Sequence, residues 1–331
     1  MKRGVRHLLA VGVLSLATAW PAGATSVVAP RTLVLAGAPR QLASLTWWGG
    51  TFAEPDGNHV TIYMSTRYPQ SADAIQRWVT FFGAVPHGPE LSLVTVYIAP
   101  LDEVEETCGG DNVLGCYGGQ KLIFSGETVG GAAPTSVAAH EYGHHVAANR
   151  NNAPWLAVDW GTKRWATQMS VCQRVATGTA FPGDEGDNYS LNPGEAFAET
   201  YRVLVEGGDS WPIVDPGFRP DAAALAAARE DVLNPWTGPT TRTIKAKFPS
   251  GRRTWATTIT AALDGDVAVV ARGPVEPSLV SADGNRVLAR ASWNSSGGKT
   301  ISYRDCGVRS LRVLVRRNAP GARFSLTITT P

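Results

Sequence analysis

His140-Glu141-Tyr142-Gly143-His144, in the middle of residues 134–150, is the stretch from which the architecture can be read. Histidines four residues apart on a helix stand one turn apart on one face, so both imidazoles can reach a single metal ion. The glutamate between them turns toward the same side, where it can act on a metal-bound water. Zinc suits such a site, because imidazole and carboxylate ligands leave one coordination position open. The surroundings read as helix. Thr135 or Ser136 can cap it after Pro134, and Val137, Ala138, Ala139, Val146 and Ala147 supply its apolar contacts. His145 points about 100° away from His144 on the helical wheel, which makes it a packed or surface residue rather than a ligand. Taken alone, the pentapeptide also describes a helix with two surface histidines.

A catalytic zinc needs a third protein ligand. Downstream, Asn192-Pro193-Gly194-Glu195-Ala196-Phe197-Ala198-Glu199-Thr200-Tyr201-Arg202 offers a good N-cap followed by a good first helical residue. Glu195 and Glu199 are four apart on one face of the helix this predicts. Two assignments compete. Glu195 can close a near-capping box with Asn192 while Glu199 pairs with Arg202 at the surface. Alternatively Glu195 completes a zinc site with His140 and His144, and Glu199 orients a histidine through its other ring nitrogen. No histidine follows in the chain and few other carboxylates sit on a regular element, which favours the second.

These segments resemble the gluzincin zinc metallopeptidases, in which H-E-x-x-H is followed by a glutamate-bearing second helix. The nearer likeness is to the catalytic domain of anthrax lethal factor and its relatives. They share a tyrosine-containing loop, an asparagine, and a helix of the form E-x-F-A-E-x-F/Y-R, matched here from Tyr189 to Arg202. The resemblance covers two short blocks, about a tenth of the chain, and the substrate preference of the toxin does not carry over. It implies that His140, His144 and Glu195 bind one zinc ion and that Glu141 is general base and then proton donor. It also implies that Tyr189 stabilises the oxyanion formed when water attacks a peptide carbonyl.

Residues 1–24 have the parts of a secretory signal: Lys2, Arg3 and Arg6, an apolar core, and Ala22-Gly23-Ala24 as a small-residue cleavage site. No stretch approaches the roughly 20 apolar residues of a membrane span. The composition is that of a bacterial exported protein. Export makes disulfides plausible for the four cysteines. Cys108 and Cys116 bracket a glycine-rich loop and pair most simply with each other, leaving Cys172 with Cys306. No C-x-x-C is present, which argues against a cysteine zinc site.

Along the chain, residues 25–237 read as an α+β zincin-like catalytic domain. Residues 26–41 are a leader or early strand and 59–65 a strand. Residues 71–82 are a helix with Ile75, Trp78, Val79 and Phe82 on one side. Residues 91–99 are expected as a strand, 102–115 as an acidic loop and 120–125 as a strand. In zincin-like folds the last strand before the zinc helix edges the cleft, and residues 121–125 are the candidate for that edge, where an extended substrate can add. Helices are expected at 163–176 and 221–233, with a loop at 177–191. Gly183-Asp184-Glu185-Gly186-Asp187 in that loop is a solvated acidic turn that lacks calcium-loop spacing. Asn234-Pro235 and Gly238-Pro239 mark a boundary.

Residues 241–331 have a different texture. Short alternating strands at 255–261, 266–271, 287–291, 299–303, 310–315 and 323–329 predict a β-sandwich. Its ending, Phe324-Ser325-Leu326-Thr327-Ile328-Thr329, weakly resembles bacterial pre-peptidase C-terminal domains. This part carries 15 Lys and Arg against 5 Asp and Glu, and the remainder 15 against 23. The two parts can therefore attract each other, or the basic part can bind an anionic cell-wall polymer. Nothing matches a nucleic-acid motif.

Together these readings describe a secreted zinc endopeptidase acting on peptide or protein substrates. Two alternatives stay open: a surface or cell-wall binding protein with an inert zincin fold, and a zinc amidase of wall peptides.

Overall fold

A computed structural model describes residues 31–331 apart from 36, 40, 41, 296, 308 and 321. The expected signal at 1–24 lies outside the described residues. The chain forms a mixed helix-and-sheet unit followed by an all-β unit.

The first unit is built on β1 (Arg31–Val34), β2 (Trp47–Ala53), β3 (His59–Ser65), α1 (Ala72–Ala84), β4 (Thr95–Ala99), α2 (Leu101–Cys108), β5 (Val113–Gly118), β6 (Lys121–Ser125) and α3 (Pro134–Ala148). One six-stranded sheet runs in the order β1-β5-β6-β4-β3-β2. β3, β4 and β6 are parallel to their neighbours in that trio, β2 pairs antiparallel with β3 and β5 antiparallel with β6, and β1 joins β5 in parallel. Strand alternation assigns the two faces. Leu122 and Phe124 join Ile75, Val79 and Phe82 of α1 and Val137 and Tyr142 of α3 in the main core. Ile123 points the other way, into a small cluster with Val104 and Cys108 of α2.

Three expectations for this unit change. Residues 89–93 form a 3₁₀ turn, so β4 is shorter than the apolar run predicted. Part of the acidic loop is α2, because Val104, Thr107 and Cys108 share a buried face under the sheet. And β6 is an inner strand. The glycine-rich β5, whose first three residues were expected as loop, pairs antiparallel along β6 and displaces the edge outward.

After α3 come a short hairpin, β7 (Asn151–Asn152) and β8 (Trp155–Leu156), then α4 (Ala157–Trp160), α5 (Lys163–Gln168), α6 (Val171–Ala176), α7 (Pro193–Glu206) and α8 (Ala222–Leu233). The single helix expected at 163–176 is two, broken at Ser170, whose φ of 55° leaves the helical region. Asn192 caps α7 through its side chain, as its sequence context predicted, and Asp221, expected inside α8, caps it in the same way. At α3 the N-cap is Ala133, and neither Thr135 nor Ser136 caps it. Pro134 at the first turn removes one of the amides a cap would satisfy.

The second unit stacks two sheets. One has the order β10 (Thr254–Ala261), β16 (Arg309–Arg317), β12 (Val275–Ser281), β13 (Val287–Arg290). The other has the order β14 (Ser292–Trp293), β15 (Lys299–Asp305), β11 (Gly265–Arg272), β17 (Arg323–Thr330), β9 (Thr240–Lys247). Val267, Val269 and Ile328 of one sheet meet Leu279, Val313 and Val315 of the other in a common core, the sandwich-like packing the alternation predicted. β9, β12 and the two-residue β14 are additions to the expected set. β9 reads as exposed and polar, and Pro277 interrupts the strand signal of β12.

Both expected disulfides are present, Cys108–Cys116 within the first unit and Cys172–Cys306 between the units. The junction is further held by Asp264, whose backbone N–H donates to Thr167 Oγ1 at 3.0 Å. There Lys163 is buried. Its Nζ donates to the Ala153 carbonyl at 2.7 Å and lies 4.4 Å from the Trp236 ring centroid. Among the described residues no helix is long and apolar enough to cross a membrane.

Candidate metal centre

Helices α3 and α7 cross in close contact, and that crossing creates the site. Gly143 makes it possible: a Cβ there would stand 2.8 Å from the Ala198 Cα and 3.0 Å from the Tyr201 Cβ. With the backbones this near, the faces carrying His140 and His144 on α3 and Glu195 and Glu199 on α7 meet, and all four side chains are buried.

His140 Nε2 lies 3.1 Å from Glu195 Oε2, and His144 Nε2 lies 3.3 Å from Glu195 Oε1. One potential ligand atom from each of His140, His144 and Glu195 falls within 4.8 Å of the others, so the group could bind a metal ion. Glu195 therefore does not close a capping box. Glu199 sits one turn on, its Oε2 3.6 Å from His140 Nδ1. It also accepts from Arg202 Nη2 at 2.7 Å and from the Trp211 backbone N–H at 2.6 Å. The Glu199–Arg202 pair expected at the surface thus exists, but buried and turned toward a histidine. Trp211 also stacks on the His140 ring, with centroids 5.8 Å apart.

Glu141 is buried beside this group, and neither carboxylate oxygen has a hydrogen-bond partner. Burial, reinforced by Glu195 and Glu185 and opposed by His140, holds its pKa well above the usual carboxylate range. Gly115 of β5 leaves room for it, since a Cβ there would approach Glu141 Oε1 to 2.8 Å. Burial works against ionisation of Glu195, but the two histidines outweigh it and lower its pKa. For His140, burial is overcome by Glu195 and Glu199, which raise the pKa to about 10, whereas burial dominates at His144 and lowers it. A buried cluster of imidazoles and carboxylates, several of whose atoms lack hydrogen-bond partners, matches the donor chemistry of a divalent cation such as zinc.

Tyr189 is buried beside the group, its hydroxyl donating to Glu195 Oε2 at 2.6 Å. His145 is buried and its Nε2 meets the Glu90 carbonyl at 2.8 Å, a packing role as expected. In the acidic turn, Asp184 accepts from the Gly186 N–H and from Asn188, stabilising the turn itself. Its neighbour Glu185 instead reaches inward to Asn192 Nδ2 at 3.0 Å. Burial, with Glu195 adding to it, pushes the Glu185 pKa up to about 9.

Thr32 was not among the residues the motifs pointed to. It comes from β1, is buried, and places Oγ1 2.9 Å from His140 Nε2, 2.8 Å from the Tyr189 hydroxyl and 3.2 Å from Glu195 Oε2. Beside it Leu114, Trp211 and Ile213 help line a cavity of about 250 Å³.

No protein-family model matches the chain, and no curated protein does. Among solved structures, it is similar to the pre-peptidase C-terminal domain of a collagenase from Bacillus anthracis. That match has 14% identity and a TM-score of 0.24, and covers 27% of this chain and 89% of the other.

Proposed function

We propose that this chain is a secreted zinc-dependent endopeptidase whose first unit is a zincin-like catalytic domain of gluzincin type. The observation that carries the reading is Glu141: a buried carboxylate without a hydrogen-bond partner, beside a group of two histidines and a glutamate able to bind a metal. Stability alone does not account for such a carboxylate, because an unpaired buried acid is costly.

In this reading His140, His144 and Glu195 hold zinc, and Glu199 and Trp211 fix the His140 ring. Zinc, when bound, supplies Lewis acidity that makes water nucleophilic near neutral pH. Glu141 takes the proton from the attacking water and delivers it to the departing amine. The Tyr189 hydroxyl is the donor nearest the ligand group and would stabilise charge developing on the carbonyl oxygen. The two disulfides support an oxidising, extracellular setting.

Purified protein should contain about one zinc per chain, as expected for a single site of this type. Glu141→Gln should keep that zinc and lose peptide cleavage by roughly a hundred- to ten-thousand-fold. Undiminished cleavage by this variant would remove Glu141 from the mechanism.

A further inference from the structure

β1 lies along the outer edge of β5, against the candidate site. Thr32, Leu33 and Val34 align with Gly115, Cys116 and Tyr117, and the Leu35 N–H donates to the Tyr117 carbonyl at 2.8 Å. The opposite side of β1 is tied to the site itself. The Thr32 N–H reaches the Tyr189 hydroxyl at 3.4 Å, and the Val34 backbone lies close enough to the Glu185 carboxyl to oppose the rise in its pKa. Between these two sets of bonds the Thr32 hydroxyl enters the site and contacts His140, Tyr189 and Glu195.

An extended peptide adding to this sheet beside the site would use the same β5 edge. One edge cannot pair with two strands, and Thr32 engages two of the three residues able to hold the ion together with the hydroxyl of Tyr189. What β1 presents to them is a side-chain hydroxyl, which offers no scissile bond. A strand serving only the fold would have no need to send its one buried hydroxyl into a group of potential metal ligands.

We propose that residues 31–35 are a built-in blocking strand that keeps the site latent, and that peptide substrates gain access when this strand leaves β5. This rests on the metallopeptidase reading and adds its regulation. Opening breaks no covalent bond: the Thr32 hydroxyl withdraws, the β5 edge is freed, and Tyr189 and Glu185 face the incoming chain.

The test uses the full zinc-loaded chain and a fluorescent dipeptide hydroxamate as an active-site probe. Thr32→Ala removes the side-chain contacts, and Leu35→Pro removes an amide from the pairing. The combined variant is expected to bind the hydroxamate about tenfold more tightly than the parent at equal zinc content, the effect of ~1.4 kcal/mol lost from the closed form. Amide hydrogens of β5 should exchange faster in parallel. Thr32→Ser, which keeps the hydroxyl, should bind like the parent. Thr32→Ala leaves the backbone pairing untouched and should shift affinity in the same direction as the combined variant, which keeps the test decisive if the proline variant does not fold. Equal hydroxamate affinity in the parent and Thr32→Ala would overturn the proposal. Tighter probe binding without any peptide hydrolysis would retain the blocking strand and sink the peptidase reading instead.

Discussion

Glu195 and Glu199 share a face of α7, one turn apart, yet meet different partners. Both oxygens of Glu195 face imidazole nitrogens, whereas Glu199 is held by Arg202 and the Trp211 amide and reaches His140 from behind. Loss of one of three ligands costs a metal site far more than loss of an orienting partner, for which roughly 10–100-fold in affinity is typical. Glu195→Ala is therefore expected to abolish zinc binding nearly completely, and Glu199→Ala to weaken it within that range. A competitive chelator titration ranks the two, and the reverse order would place the ligand one turn along. The positions of His140, Glu141, His144 and Glu195 were legible in the sequence because helical spacing places them on two faces, and the scarcity of other downstream ligands and the family resemblance favoured Glu195 as their partner. Thr32, Glu185 and Trp211 were not. They reach the site from irregular segments or from a distant strand, where no period ties residue number to direction.

At the level of elements, the site depends on how closely α3 and α7 approach. Gly143→Ala forces a methyl against the Ala198 backbone and the Tyr201 Cβ, and neither is the free end of a flexible side chain. Overpacking of this kind costs about 1–3 kcal/mol, so the melting temperature should fall and zinc affinity with it, as the residues proposed to hold the ion come from both helices. Calorimetry with and without zinc checks both effects, and an unchanged melt would mean the helices can separate at no cost. Helices with a sharp apolar face, such as α1, were readable. α3 has no such face, because it is buried on nearly every side, and it was readable through its histidine spacing, Pro134 and its small apolar residues. β5 was missed for a related reason. Gly115 and Gly118 give it little strand propensity, and the space they leave is taken by the Glu141 carboxyl and by the Gly37 carbonyl near the end of β1.

Across the whole molecule, the two units share one disulfide and one buried lysine. Cys172–Cys306 spans 134 residues, and the chain-entropy model assigns such a loop about 5 kcal/mol. Replacing both cysteines by serine should cost up to that amount and let the units melt in two separate transitions. Burial lowers the Lys163 pKa to about 8, with Asp264, Asp266 and Asp231 opposing the shift. The unfolded chain then holds more protons than the folded one between pH 8 and the ordinary lysine value of 10.5. Stability therefore gains from Lys163 as pH rises through that window. Denaturation of the parent and of Lys163→Met across it should show the parent improving relative to the variant; parallel curves would mean Lys163 is not desolvated. The division into two textures and the cysteine pairing could be read from the sequence. The Lys163 contact could not, because it depends on how the units dock.

β9 and β17, the first and last strands of the sandwich, pair antiparallel with Thr240 opposite Thr330. A load pulling the C-terminal end away from the first unit therefore meets this pair at one end and opens its rungs in succession, the geometry that resists force least. The covalent link from Cys172 to Cys306 limits the damage. With it intact, tension passes straight from the first unit to Cys306, and only the chain beyond that residue can pay out. The protein is in effect fitted with a mechanical stop, and in a reducing medium the stop is gone.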